Sequence, residues 1–185
     1  DWPSIHRLLF YPAVTKSLTW RLLGLSDWYN RIDEHLVLGA LPLVREFQSV
    51  AKSESIKAVL SINEPHEVKP AWVAGEKECR RLGLARMQLS VPDFGGHSPS
   101  ARQLQKCCDF IESTVAKGGS VYLHCRAGRT RSGTVAAAYL MRRHRSLAPV
   151  DACDRLRAKR PSLLLNRPQL DALHEFWRLE QARER

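Results

Sequence analysis

The chain has 185 residues, 44% of them hydrophobic, and 29 lysines and arginines against 19 acidic residues give a formal net charge of +10. That size supports one sizeable core, no run of about 18 apolar residues is available to span a bilayer, and the charge favours an anionic partner such as nucleic acid, acidic membrane or a phosphorylated substrate. Five cysteines, an odd count without framework spacing or a CxxC pair, argue against a disulfide-stapled secreted domain and against zinc, so a reducing compartment is expected.

The sequence starts at Asp1 rather than methionine, as expected of a trimmed or processed chain. Residues 4–25, SIHRLLFYPAVTKSLTWRLLGL, mix apolar residues with His6, Arg7, Lys16 and Arg21, and Pro12 predicts two short helical pieces. Two readings of this segment stay open. It is either a basic amphipathic segment lying on an anionic membrane with Phe10 and Trp20 at the interface, or a helix packed on the domain. From residue 32, IDEHLVLGALP reads as a strand ending in a turn at Pro42, and LVREFQSVAKSES as a helix with Val44, Phe47 and Val50 on one side. IKAVLSIN is a strand ending at Asn63, followed by the polar loop EPHEVKP. A helix over residues 71–82 closes at Gly83, and LARMQLSV is the next strand, ending in the loop PDFGGHSPS.

Ser98 followed by Pro99 predicts a helix start, with Leu104, Cys108, Ile111 and Val115 at helical spacing and Gly118-Gly119 as the stop. SVYLH is a strand and GTVAAAYLMRRH a helix. Two more helices follow, one opening near Pro149 with Val150, Cys153 and Leu156 inward, one opening with Asn166 as cap and Pro168 in its first turn. Strands alternating with helices imply an α/β fold, a mostly parallel central sheet flanked by helices on both faces. Residues 1–27 form the N-terminal basic segment and 28–185 the domain. Cys79, Cys107, Cys108 and Cys153 fall in helical patterns and read as packing or surface residues.

The chemistry concentrates in SVYLHCRAGRTRSGT, residues 120–134. In open α/β sheets ligands bind beyond the carboxyl ends of the strands, and Cys125 stands there. The five residues between Cys125 and Arg131 can wrap backbone N–H groups around a tetrahedral anion, with Ala127 and Gly128 small enough not to obstruct it and Thr130 completing the loop. A helix starting near Arg131 adds its positive end. These donors also favour thiolate over thiol, so Cys125 is expected to be a nucleophile at neutral pH. Arg131 offers a planar fork for two phosphoryl oxygens, and Ser132 a hydrogen bond to the sulfur.

HCRAGRTRS resembles the H-C-x5-R-S signature of the cysteine-dependent phosphatases, the protein tyrosine and dual-specificity superfamily. The resemblance implies a phosphocysteine intermediate, no metal and no cofactor, with His124 in a supporting role. It also implies an aspartate acid and base roughly 30 residues before the cysteine; Asp93 in VPDFGG fits, whereas Asp109 sits within a helix as a solvated charge.

Over residues 28–178 the segments WYNRIDEHLVLGALP, LSINEPHE, SVPDFGG, VYLHCRAGRTRS and LNRPQLDALHEF together resemble the mitochondrial protein tyrosine phosphatase-like family. That resemblance implies phosphatidylglycerophosphate as substrate, converted to phosphatidylglycerol on the way to cardiolipin, and a peripheral location on the mitochondrial inner membrane. Arg126 and Arg129 resemble basic loop positions of tensin-homologue phosphoinositide phosphatases and suit a doubly phosphorylated head group. Asn63 and Glu64 match the start of a family loop beside the active site, from which Glu64 would orient Arg131 or a catalytic water; Pro65 departs from that loop's acidic pattern. The expected partner is an anionic phospholipid at a membrane surface, for a monomer without nucleic acid. A protein phosphatase of dual specificity, a phosphoinositide phosphatase and a non-enzymatic anionic-lipid module are the alternatives.

Overall fold

The computed structural model describes residues 2–24, 26–145 and 147–183, apart from the side chains of residues 2–9 and 17, so His6 and Arg7 of the basic N-terminal segment lie outside the described side chains. Chain order is α1 (Trp2–Leu22), β1 (Tyr29–Arg31), β2 (Leu36–Gly39), α2 (Val44–Ser53), β3 (Ile56–Ser61), α3 (Glu76–Arg81), β4 (Ala85–Gln88), α4 (Ala101–Val115), β5 (Ser120–His124), α5 (Arg131–Arg143), α6 (Pro149–Lys159) and α7 (Arg167–Arg183).

The five strands lie in the order β1-β2-β5-β3-β4, with β2, β5, β3 and β4 parallel and β1 antiparallel at the edge. Alternation along the strands divides the side chains between two layers. Leu36, Leu38, Ala58, Leu60, Val121 and Leu123 face the larger core with α4 to α7, while Val37, Val59 and Tyr122 face the smaller one with Phe47 of α2 and Cys79 of α3. Helices cover both faces, as expected of a buried parallel sheet. The eleven residues Arg131–Met141 of α5 are all buried, so this helix runs through the core rather than over it.

Several boundaries differ from the sequence reading. The segment from residue 32 is a turn joining two strands: Asp33 Oδ1 accepts from the N–H groups of His35 and Leu36 at 2.9 and 2.8 Å, and local Asx chemistry outcompetes strand propensity. The helix expected over 71–82 forms only over Glu76–Arg81. Strand β4 stops at Gln88 because β3, its single neighbour at this edge, ends at the paired Ser61. Helix α4 is capped by Ser100, not Ser98, since Ser100 and Gln103 satisfy each other's backbone donors in a capping box. Val150 is 58% exposed, because the inward stripe of α6 runs through Pro149, Ala152, Cys153 and Leu156.

Helix α1 is continuous through Pro12. An internal proline costs about 3 kcal/mol in a helix, and tertiary packing offsets it here. Phe10 and Val14, buried, pack with Leu41 and Val73, and Phe10 stacks on Trp72 with ring centroids 6.3 Å apart. This packing lays the remainder of α1 beside the carboxyl ends of the strands.

Candidate active site

Strand β5 is central, so its end at His124 lies between the ends of β2 and β3. Residues 125–130 form a loop there before α5 begins. Each carbonyl of the loop proper is held away from its centre. Leu41 N donates to Arg126 O at 3.1 Å, Leu164 N to Arg129 O at 3.3 Å and Thr134 N to Thr130 O at 2.9 Å. Arg160, 2% exposed, donates from Nε to Gly128 O at 2.6 Å and from Nη2 to Ala127 O at 3.2 Å. Because the C=O and the following N–H of a trans peptide point in opposite directions, the amides of residues 127–131 turn inward and form an anion cradle. Gly128 has φ +65°, and a Cβ there would lie 2.3 Å from the Gly39 carbonyl oxygen, so only glycine fits.

Cys125 lies at the base of this cradle, 3% exposed. Burial pushes its thiol up, but the Arg131 guanidinium, the Ser132 hydroxyl at 3.2 Å and the Ser132 amide outweigh burial, and the net shift is below the ordinary thiol value. His124 is buried, with its pKa pushed down to about 3 by burial, and its Nδ1 lies 3.2 Å from the Cys125 carbonyl oxygen. It is therefore a neutral ring supporting the backbone at the nucleophile.

Arg131, 1% exposed, is fixed by Glu67 rather than by Glu64. Nη1 and Nη2 donate to the two Glu67 carboxylate oxygens at 2.6 and 2.9 Å, and Nη1 also to Val91 O at 2.9 Å. The expectation that Glu64 orients Arg131 is thus corrected, and the reason is local. Residues Pro65–Glu67 form a single 3-10 turn in which Glu64 is the N-cap, its side chain accepting from the Glu67 amide while Glu67 Oε2 accepts from Glu64 N at 2.8 Å. The turn spends Glu64 on capping and points Glu67 at the arginine. Spacing of a capping box, with proline at the first position, was the available signal. Asn63 is fully buried behind this turn, its Oδ1 accepting from Ser61 at 3.2 Å. Arg131 Nε is buried without an acceptor among the described residues and is the donor left for a phosphoryl oxygen.

Asp93 comes from the loop after β4. One carboxylate oxygen is 2.9 Å from Arg131 Nη2 and the other accepts from Arg126 Nε, while Arg126 also stacks on Phe94 at 5.3 Å. Arg126 is therefore committed to the aspartate. Arg129 is held differently, with Nε donating to Ser162 O at 2.8 Å and the guanidinium 5.6 Å from the Trp20 ring centroid. A cavity of about 310 Å³ opens beside Cys125, bounded by the loop, Asp93, Phe94 and Leu164 and, on its far side, by Ala13, Lys16 and Trp20 of α1. Arg160 was not singled out from sequence, and Lys16 and Trp20 of α1 were read there only as part of the basic N-terminal segment, not of the site. Neither Arg160 nor the α1 wall belongs to the signature, and only the tertiary fold brings them to the loop.

A cysteine whose thiol value is lowered at the base of an amide cradle, an adjoining arginine and a carboxyl group across the opening define a cysteine-dependent phosphatase. The dual specificity phosphatase catalytic-domain model matches residues 42–178, and the chain belongs to that family. Over nearly its whole length it is similar to human phosphatidylglycerophosphatase and protein-tyrosine phosphatase 1, 36% identical across 97% of this chain and 90% of the human protein. The phosphatidylglycerophosphate phosphatase PTPMT2 of Arabidopsis thaliana is 31% identical across 94% of this chain and 74% of the plant protein. The crystal structure of PTPMT1 in complex with PI(5)P matches with a TM-score of 0.81 at 34% identity, covering 86% of this chain and 100% of that one. The family and fold anticipated from the five sequence segments are those found.

Proposed function

We propose that the chain hydrolyses the phosphomonoester of phosphatidylglycerophosphate to give phosphatidylglycerol. The Cys125 thiolate attacks phosphorus, the P–O bond breaks, and its electron pair leaves on the glycerol oxygen, which takes a proton from Asp93. A water then attacks the phosphocysteine, gives its proton to the Asp93 carboxylate, and the S–P electron pair returns to sulfur. The loop amides and Arg131 hold the three equatorial oxygens throughout, and Ser132 stabilises the departing thiolate. An incoming phosphate dianion competes with Asp93 for Arg131 and brings the carboxyl group beside the leaving oxygen.

The observation that carries the lipid reading is the cavity wall contributed by α1. Trp20 and Leu164, 36% and 51% exposed, give the opening an apolar rim, and similarity to phosphatidylglycerophosphatases extends through this helix. Support for a phosphoinositide as second reading comes from the PTPMT1 structure with PI(5)P. Purified protein offered phosphatidylglycerophosphate, PI(5)P and phosphotyrosine peptides side by side is expected to turn over phosphatidylglycerophosphate fastest. Markedly faster peptide hydrolysis overturns the lipid reading.

The same proposal puts the protein on a membrane face, that of the mitochondrial inner membrane by family resemblance. Tyr11, Leu22 and Leu23 of the α1 region are 60%, 86% and 65% exposed, and no helix among the described residues is long and apolar enough to cross a bilayer. Peripheral contact through such residues is reinforced by positive charge against anionic lipid. Flotation with phosphatidylglycerol vesicles and subcellular fractionation test the two parts; failure to float removes the first.

A further inference from the structure

The cations around the catalytic cavity differ in how they are compensated. Arg131 meets Glu67 and Asp93, and Arg126 meets Asp93. Lys16 and Arg129 also line the cavity, but neither meets a carboxylate among the described residues, and Arg129 Nη1 and Nη2 have no hydrogen-bond partner there. Both rest on the same ring: Lys16 Nζ is 4.9 Å and Arg129 Cζ 5.6 Å from the Trp20 centroid. The ring thus gathers two unmatched positive charges beyond the loop that binds the scissile phosphate.

A second cavity of about 250 Å³ adjoins the first, and Trp20, Ala127 and Arg129 line both. Its other charged groups are occupied. Arg160 is saturated by the Gly128, Ala127 and Asp27 carbonyls and by Asn30 Oδ1, and Asp27 accepts from Asn30 Nδ2 at 2.8 Å. Arg129 is therefore the uncommitted charge on the partition between the two spaces.

We propose that Arg129 and Lys16, gathered by Trp20, form a second anion subsite that binds a further phosphate carried by the substrate a few bonds from the scissile ester. A monoester seated on the loop amides would extend its alcohol portion past Arg129, so that a phosphodiester in that portion meets the two free cations at the partition. The subsite selects esters with two phosphates over esters with one. It deepens the proposed function and rests on its phosphomonoester chemistry, but not on which lipid is the substrate.

The test uses two compounds that cannot be hydrolysed, propane-1,3-bisphosphonate and propylphosphonate, as competitive inhibitors of aryl phosphate hydrolysis by the full chain. The readout is the ratio of the two inhibition constants, whatever happens to turnover itself. The bisphosphonate is expected to bind about tenfold more tightly or better, the contribution of one added charge-assisted contact. Lys16→Met lowers that preference and Arg129→Met nearly removes it, while Arg129→Lys restores part. Lys16 is exposed, so its variant tests the subsite without a folding risk, and thermal melting monitors the Arg129 variants. Equal inhibition by both compounds in the parent protein, or an unchanged preference in both methionine variants, overturns the proposal. A preference that disappears in the variants while phosphatidylglycerophosphate is turned over poorly upholds the subsite and overturns the lipid assignment instead.

Discussion

Cys125 and Cys108 are both buried and both influenced by an arginine that carboxylates compensate, yet their thiols shift in opposite directions. Burial drives Cys108 well above the ordinary thiol value, and Arg142, tied to Asp109 and Glu180, does not reverse it. Its neighbour Cys107 is pushed up to about 12 by burial, and Cys79 to about 11. Burial opposes the thiolate at Cys125 as well, but there Arg131 is joined by a hydroxyl and an amide of Ser132 that donate to the sulfur itself. An arginine nearby does not make a reactive cysteine. Donors aimed at the sulfur from a strand-to-helix turn do, because they bond to the charged form and reward it directly.

The largest expected effect divides the two thiols. Cys125→Ser is expected to lower phosphate ester turnover by roughly 10⁴-fold or more, as removal of a nucleophile does in other hydrolases, while binding of the lipid persists. Cys108→Ser leaves turnover intact but buries a hydroxyl in the core, costing about 1–3 kcal/mol in a denaturant melt. Equal losses of turnover in the two variants would break the comparison. The cysteines with raised thiol values also set a direction for alkaline stability. Their neutral form is favoured in the folded state, so stability is full below about pH 9 and falls as pH rises past that unfolded-state value.

Asp93→Asn separates field from proton transfer. The Asp93 charge raises the Cys125 thiol, so the variant should have a still lower thiol value, read by the pH dependence of iodoacetamide labelling. Turnover nevertheless is expected to fall by about 10²–10⁴-fold, most for alkyl esters whose leaving oxygen needs a proton. A variant with unimpaired alkyl phosphate turnover removes Asp93 from the reaction.

Glu67→Gln probes the arginine beneath the nucleophile. Removing one partner of a buried ion pair costs about 3–5 kcal/mol because the other charge is left uncompensated, so a large fall in the denaturation midpoint is expected. Glu64→Gln retains a side-chain oxygen that can cap the 3-10 turn and should cost far less. If the two variants melt alike, the assignment of Glu67 over Glu64 is wrong.

The signature loop was legible in sequence because its function is local. Cys125, the loop amides, Arg131 and Ser132 belong to one strand-turn-helix unit, so thirteen or so consecutive residues carry most of its geometry. Asp93 was reachable through its spacing and its glycine-rich loop. Glu64 was named because it matches the start of a family loop, and that match does not reveal that the 3-10 turn consumes Glu64 as a cap and turns Glu67 to the arginine. Arg160 and the α1 wall depend on chain segments that are distant in sequence and meet only once the sheet is formed. The unbroken course of α1 through Pro12 has the same origin, since the burial of Phe10 and Val14 outweighs a local preference that sequence does display. Boundaries at residues 32 and 98 failed where a side chain or capping box satisfied backbone donors better than the regular element expected there, and the one at 71 failed because residues 72–74 pair their backbone with residues 42–44 before the helix begins.

Ser132→Ala is the smallest change and bears most directly on the difference between the two thiols. It removes one hydroxyl donor 3.2 Å from the sulfur and leaves Arg131 and the burial of Cys125 in place. The Cys125 thiol should then move upward, toward the behaviour of Cys108, and the pH at which iodoacetamide labelling reaches half its maximum should rise. The parent enzyme gains activity as pH rises through a thiol value below the ordinary one, so the variant's acid limb should shift to higher pH. Turnover at neutral pH is expected to fall about tenfold, the worth of one hydrogen bond to a charged acceptor. The same hydroxyl assists the thiolate as it leaves phosphorus, so the loss should concentrate in breakdown of the phosphocysteine and raise the amount of trapped phosphoenzyme after rapid acid quench. An unshifted labelling profile with reduced turnover would leave the hydroxyl only the second of these roles, and the low thiol value of Cys125 would then belong to Arg131 and the backbone.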